Sequence, residues 1–462
     1  MSQLWGFLAG ALPTVAAFAT SLSSIDLTYH VRAGELMLQT GRVLRVDPFT
    51  FTANNSQWLD QQWGGQILLA LAGRGGWLVL AAMRGLLVGA IFLLLYLCVR
   101  GRGVPARRAA LLAIASFVVT MGGLGLRPQL LGLTLFALSW WVLERRDRRP
   151  MGIWALPLIT AVWTNVHGSF FMGPALLLLA AMDERRRGPS ATRRASFVTI
   201  ATLAATALNP FGPRVWSYAV GIATNPEVTR TVSEWQPPTL REPSDAVFFV
   251  SVFAIAFLLV TRRISLDGLS LFTLAGFLII ALLAIRGVMW WAFVAPAVVG
   301  RAMAGPDEAE HRSSPLNLGL ALTLSVAGLM LLLRWRDQPA TLPSSELVRD
   351  VPTGITVALR EGLGPGMRVF NAQKWGSWLE YAFPEVPVFV DSRIELFPSS
   401  VWRDYFAVSG GREGWQAILE RWDVDVVVAA ADQQEELIPR IRSTAGWRVL
   451  YEDSLGAVFV RG

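Results

Sequence analysis

The stretch WLVLAAMRGLLVGAIFLLLYLCVRGRGVPARR, from Trp77 to Arg108, decides the class of this chain. The run Trp77–Val99 carries a single charge, Arg84, and arginines then follow at Arg100, Arg102, Arg107 and Arg108. A helix of about 20 apolar residues crosses the ~30 Å hydrocarbon layer of a bilayer. Arginines just beyond such a run mark the cytoplasmic side. The pattern recurs. Ala246–Val260 and Leu316–Leu333 are near-continuous apolar runs. Further clusters stand at Arg145, Arg146, Arg148 and Arg149; at Arg185 to Arg187 with Arg193 and Arg194; and at Arg262 and Arg263.

Composition agrees. The chain has 462 residues, of which 53% are hydrophobic and 16% charged, and its mean hydropathy is +0.44. A soluble domain carries about 25% charge. The net charge of +7 lies in short arginine-rich loops between apolar runs, so it reads as topology rather than as nucleic-acid binding. Cys98 is the one cysteine, which excludes a disulfide framework within the chain. The first apolar run lacks a basic leader and a cleavage site, and is expected to be a retained span.

The apolar stretches predict about eleven spans, near 4–20, 77–99, 109–125, 128–144, 151–165, 169–182, 195–208, 246–261, 266–284, 287–303 and 315–334. An odd count with a cytoplasmic N-terminus places the C-terminus outside and the large arginine clusters inside. The expected organisation is a polytopic α-helical membrane region over 1–336, with a long first external loop over 21–63. A soluble extracytoplasmic α/β domain follows over 345–462. In the first loop, Asp26–Met37 reads as an amphipathic helix on the bilayer surface, ended by Gly41. Asp47-Pro48-Phe49-Thr50 reads as a turn. Gly64–Ala72 is apolar but too short to span. In the tail, strand candidates at Met367–Phe370, Val386–Val390, Val424–Ala429, Trp447–Tyr451 and Ala457–Val460 alternate with helix candidates at Trp375–Phe383, Ser399–Val408, Gly414–Trp422 and Gln433–Thr444. That alternation predicts a mostly parallel sheet.

The polar residues of the external loops fall on one side of the membrane, which marks that side for chemistry. Asp26, just past the first span, reads either as a general base or as a first-turn acid complementing its helix dipole. Asp47 and Asp60 share its loop, and a second carboxylate could share a proton or a metal. His30 stands four residues beyond Asp26 and so shares its helix face. Asn165 and His167 sit at the outer end of a predicted span, where lipid would leave them unsatisfied. Arg127 and Arg286 flank predicted spans and point to an anionic partner, for which a phosphate suits the guanidinium fork; an internal salt bridge is the alternative. Asn209-Pro210-Phe211-Gly212 and Ser233-Glu234-Trp235-Gln236 read as stiff loop elements. Glu234 is the charge there, and Trp235 is either a stacking face for a sugar or part of an interfacial aromatic belt. In the tail, Asn371, Trp375-Gly376 and Asp391-Ser392-Arg393 lie at or just past strand ends, where open α/β sheets bind ligands; docking onto the membrane region is the alternative. There is no zinc spacing, P-loop, HExxH or GxSxG motif, and no nucleotide fingerprint follows the first tail strand.

The order Asp26…Tyr29-His30…Gly34-Glu35…Gly41…Asp47-Pro48-Phe49-Thr50…Trp58…Gln62-Trp63 resembles the first external loop of bacterial GT-C superfamily membrane glycosyltransferases, the relatives of protein O-mannosyltransferases and of the lipid A aminoarabinose transferase. Asn165-Val166-His167-Gly168, Asn209-Pro210-Phe211-Gly212, Glu234-Trp235, Trp375-Gly376 and Asp391-Ser392-Arg393 resemble further markers of a bacterial branch. The resemblance covers nearly the whole chain. It implies a hexosyltransferase-like enzyme of the bacterial cell membrane, taking a sugar from a polyprenyl-phosphate donor to a lipid, glycan or protein acceptor outside the cytoplasm, with Asp26 as the general base. Better-known members carry an adjacent acidic pair where Asp26 is followed by Leu27. Asp47 is the candidate for the second acid, and a divalent metal is left open but not required. The competing reading is a non-catalytic lipid-carrier or glycan-binding membrane protein of the same fold. A transporter is disfavoured, because the polarity gathers at one rim rather than at the midplane.

Overall fold

The computed structural model describes residues 2–185, 188–306, 315–339, 341–364 and 366–462. Arg186 and Arg187 of the third arginine cluster lie outside the described residues. The chain opens with α1 (Ser2–Ala19), β1 (Leu22–Ser23), α2 (Ser24–Thr40) and α3 (Trp63–Gly73). Helices α4 (Trp77–Gly101), α5 (Ala106–Thr120), α6 (Pro128–Glu144), α7 (Ala155–Trp163), α8 (Met172–Glu184), α9 (Pro189–Ala205), α10 (Arg214–Thr224), α11 (Pro226–Thr231), α12 (Pro243–Val260), α13 (Gly268–Leu283), α14 (Val288–Val299) and α15 (Pro315–Trp335) follow. The tail adds β2 (Val348–Arg349), α16 (Thr353–Gly362), β3 (Val369–Asn371), α17 (Gln373–Ala382), α18 (Ser399–Ser409), α19 (Trp415–Arg421), β4 (Val426–Ala430), α20 (Leu437–Arg442), β5 (Trp447–Glu452) and β6 (Gly456–Arg461). Every stretch read as a span is helical. Among the described residues, four helical segments are by themselves long and apolar enough to cross a membrane: Trp77–Gly101, Ala106–Gly123, Pro243–Val260 and Pro315–Trp335.

Two compact units result. One comprises the first twenty residues with 78–337, the other 21–77 with 338–462. This division departs from the sequence reading, which grouped the first external loop with the membrane region. The loop's buried acids and aromatic rings find their partners in the tail.

The first unit is a helix bundle. Its core is aromatic: Phe136 meets Trp290 at 4.8 Å between ring centroids, Phe293 at 5.5 Å and Phe277 at 6.0 Å. Helix α14 is buried nearly all round, as its unbroken apolar sequence demands. At one end of the bundle, charges lock helix C-termini together. Arg102 Nε donates to Glu144 at 2.6 Å and Arg146 Nε to Glu184 at 2.9 Å, and Arg146 also pairs with Asp183. These bonds bring the arginine-rich ends of α4, α6 and α8 together. Arg84 donates to the carbonyls of Ala17 and Thr20, and to Thr20 Oγ1 at 2.8 Å. It caps the C-terminal end of α1, where a cation complements the helix dipole.

In the second unit, Leu27, Thr28, Tyr29, His30 and Val31 of α2 are buried in succession, while Arg32, Glu35 and Gln39 share a face that is not buried. The helix packs against α3 and α17. Gly34 permits the first of these: a Cβ there would lie 2.2 Å from the Gln66 carbonyl oxygen. Gly41 ends the helix in the left-handed region, φ 65°, donating to Met37 O.

The four-stranded sheet runs β3-β4-β6-β5. Only β3 and β4 pair in parallel; β4–β6 and β6–β5 are antiparallel. The expected mostly parallel sheet is therefore corrected. Residues 453–455 alone join β5 to β6, and Asp453 Oδ1 accepts from Leu455 N at 2.8 Å to make the turn. A parallel crossover needs a dozen or more residues. The Val386–Val390 candidate is not a full strand, but Val388 bridges in parallel to both Val369 and Thr50. The first loop thereby extends the sheet edge.

Candidate functional site

The second unit buries a charged hub. Arg393 is 2% exposed and Asp47 0%. Arg393 Nη2 lies 2.9 Å from Asp47 Oδ1 and 3.7 Å from Glu380 Oε1. Its Nε donates to Asp391 Oδ2 at 2.9 Å, and its backbone N–H donates to Asp391 Oδ1 at 2.6 Å. The guanidinium also sits over three rings: Trp58 at 4.6 Å, Phe49 at 5.1 Å and Tyr29 at 5.7 Å. All are within cation–π range.

Burial sets the protonation of the hub. It pushes Glu380 well above the usual carboxylate range, and the charge of Asp391 adds to this. Burial also works to raise Asp391, but the Arg393 guanidinium and a hydrogen bond from Glu380 outweigh it and leave Asp391 below its ordinary value. Burial beside Asp391 thus biases Glu380 towards its protonated form. Asp60 accepts from Gln66 Nε2 at 2.9 Å, and burial raises it to about 8 against the pull of Arg393. Tyr29 is raised by burial and then by the charge of Asp26. Asp26 therefore lies close to the aromatic wall of the hub, in the first turn of α2. His30, also on α2, stacks on Tyr29 at 4.0 Å.

Asp47 is fully buried and fully partnered. Its carboxylate accepts from Phe49 N at 3.2 Å, from Thr50 N at 3.1 Å and from Thr50 Oγ1 at 2.5 Å, besides facing Arg393. It is at once the turn expected from Asp47-Pro48 and a structural anion. Asn371 is likewise structural: fully buried, it donates to Ala372 O and Val390 O and accepts from Phe389 N. Asp391 and Arg393 both belong to the hub. Gly376 lets α17 approach the Val390–Asp391 backbone, where a Cβ would lie 2.2 Å from Val390 O.

The first unit holds a second cluster. Glu234 pairs with Arg127 through one oxygen and with Arg286 Nη2 through the other, at 3.0 Å. The Arg286 guanidinium lies 4.2 Å from the Trp235 ring centroid. Ile285 N donates to Gln236 O at 2.9 Å and holds the two turns side by side. Two guanidiniums on one carboxylate leave a net positive group, only partly buried. Arg127 precedes Pro128, whose ring suits the first turn of α6. His167 packs on Gly132 of that helix, with its Cβ 3.2 Å from the position a glycine Cβ would take, and its Nδ1 meets Ser169 Oγ at 2.8 Å. Asn165 Nδ2 donates to Ala161 O and Leu208 O. Asn209 Nδ2 donates to Thr206 O and Gly212 O. The Asn165 amide ties the end of α7 to the turn after α9, and the Asn209 amide holds that turn together.

The structure thus brings Arg127, Glu234, Trp235 and Arg286 together in one unit, and Asp26, His30, Asp47, Asp391 and Arg393 together in the other. Glu380 was missed in the sequence. Its signal was a lone acid among apolar residues in the run Trp378-Leu379-Glu380-Tyr381.

Solved structures share this architecture. The archaeal oligosaccharyltransferase AglB from Archaeoglobus fulgidus, in complex with an inhibitory peptide and a dolichol-phosphate, is 12% identical with a TM-score of 0.56, over 99% of this chain and 74% of that one. The chain shares its fold with that oligosaccharyltransferase. The Archaeoglobus fulgidus oligosaccharyltransferase tethered to an acceptor peptide is 14% identical over the same shares, with a TM-score of 0.52. ArnT from Cupriavidus metallidurans is 13% identical over 98% of this chain and 96% of that one, at a TM-score of 0.38 that carries no weight here. No family model and no curated protein matches the sequence.

Proposed function

We propose that this chain is a membrane glycosyltransferase. It takes a sugar from a polyprenyl-phosphate donor and hands it to an acceptor outside the cytoplasm. One observation carries this reading: a fold shared over 99% of the chain with an oligosaccharyltransferase solved with a dolichol-phosphate. The positive cluster supports it. In an inverting transfer, Asp26 takes the proton of the acceptor hydroxyl. The oxygen attacks the anomeric carbon, and the bond from that carbon to the phosphate oxygen breaks. Polyprenyl phosphate departs with the bonding pair. Trp235 offers an apolar face beside Arg286.

The test uses the full chain in vesicles with radiolabelled polyprenyl-phosphate sugars. The wild type transfers label, whereas Asp26→Asn binds donor without transfer, since an amide cannot take the proton. Full activity in Asp26→Asn removes Asp26 from catalysis. Donor binding without turnover in the wild type replaces the enzyme with a lipid-carrier-binding protein.

A further inference from the structure

Helices α1, α4 and α15 of the first unit enclose an apolar groove of about 1080 Å³. Glycine makes its floor. A Cβ on Gly89 of α4 would lie 1.9 Å from Thr14 Oγ1 and 2.9 Å from Gly10 O of α1, so these backbones touch. Helix α15 stands further off. A Cβ on its Gly328 would find Val15 only at 3.7 Å, an ordinary contact, and near the helix end Trp335 meets Phe18 edge-on at 5.2 Å. A wedge is left between them.

The groove is apolar along its length and polar at one mouth, where Gln3 and Arg100 line it. From Leu86 to Arg100 its α4 wall runs about 21 Å at 1.5 Å per residue. That exceeds one leaflet, roughly half of the ~30 Å hydrocarbon core. Arg100 belongs to the arginine-rich end, since Arg102 two residues on pairs with Glu144 at the C-terminus of α6. Arg107 and Arg108 are exposed at the start of α5 nearby. Arg127 precedes the other end of α6, about 25 Å away along 17 residues. The groove is therefore not the Arg127–Glu234–Arg286 cluster, and lies at the opposite end of the bundle.

We infer that the groove holds one acyl chain of an anionic phospholipid from the leaflet at the arginine-rich end, with the lipid phosphate beside Arg100. An apolar slot longer than a leaflet fits a hydrocarbon chain, and a fixed cation at its mouth selects a net negative head over a zwitterionic one. This inference does not rest on the transferase reading.

The full chain, delipidated in detergent, is titrated with phosphatidylglycerol, phosphatidylcholine and polyprenyl phosphate. Retention is read by native mass spectrometry and by thermal shift. Phosphatidylglycerol is expected to bind about fivefold or more tighter than phosphatidylcholine, the factor one cationic contact supplies. Arg100→Gln should erase that preference, and Arg100→Lys should keep it. Gly328→Trp should fill the groove and abolish retention of both phospholipids while the protein still melts cooperatively. Ser325→Phe, on the exposed side of α15, serves if Gly328→Trp does not fold. Equal binding of the two phospholipids overturns the proposal. So does tighter binding of polyprenyl phosphate, or lipid retention undiminished in the groove-filling variants.

Discussion

Arg393 of the tail meets Asp47 of the first loop at 2.9 Å, with both side chains closed off from solvent. One ion pair thereby joins two segments at opposite ends of the chain into a single folded unit. Three rings and the Asp391 carboxylate enclose the same guanidinium. A buried ion pair adds little over apolar packing, but breaking one is costly because a lone charge stays buried. Arg393→Ala should therefore cost on the order of 3–5 kcal/mol. Arg393→Lys should recover little of it, lacking the planar fork and the ring contacts. Thermal unfolding and proteolysis of the tail in the full chain measure this. Melting of Arg393→Ala alongside wild type would remove the hub from the stability of the unit.

Asp60 makes stability depend on pH. Its neighbours are Arg393, Glu395, Gln66 and the backbone of Gln62. Burial raises it from the ordinary 3.8 to about 8, so the folded state holds the proton more tightly than the unfolded one. Stability is then full below the unfolded value and falls as pH rises from about 4 to 8. Glu380 shifts in the same direction. Asp60→Asn keeps an oxygen for Gln66 but cannot ionise. It should match wild type below about pH 4 and melt higher by a margin that grows up to about pH 8. An unchanged difference between the two proteins across that range would contradict the assignment.

The Arg127–Glu234–Arg286 cluster should act as a unit. Glu234→Gln leaves two guanidiniums without the carboxylate between them, and Arg286→Lys loses the fork and the contact with Trp235. Each should raise the donor KM by about tenfold or more, the factor equivalent to 1.4 kcal/mol. The double variant should fall well short of the product, as neighbours in one network do. Strictly additive effects would mean the two residues serve separate ends.

Gly34→Ala tests the crossing of α2 and α3. The added carbon meets Gln66 O at 2.2 Å and Ala70 Cβ at 2.7 Å, neither of them on a flexible side chain. The helices must part, at about 1–3 kcal/mol. A melting temperature equal to wild type would show that the crossing can relax freely.

Topology is tested with reporter fusions after Arg108, Arg149 and Gly462. The arginine clusters predict cytoplasmic signal at the first two and external signal at the last. Cytoplasmic signal at Gly462 would reverse the proposed face of the reaction.

The sequence by itself determined the class and the helices. Stretches such as Trp77–Val99 are apolar over a bilayer's thickness, and a helix closes its own backbone hydrogen bonds locally, so composition alone locates it. Gly41 marked a helix end for an equally local reason, its left-handed freedom. The pairing of Arg127, Glu234 and Arg286 was half legible, because isolated charges beside apolar runs require partners, although the sequence does not say which. Tertiary structure alone decided the rest. Asp47-Pro48 looked like a turn and is one, yet its carboxylate also serves Arg393. The short Asp453–Leu455 connection carried a signal for antiparallel pairing that strand–helix alternation outweighed. The joining of the first loop to the tail had no local signal. It follows from buried charges that must be neutralised wherever the folded chain brings an opposite charge, and that place is set by packing between residues hundreds of positions apart.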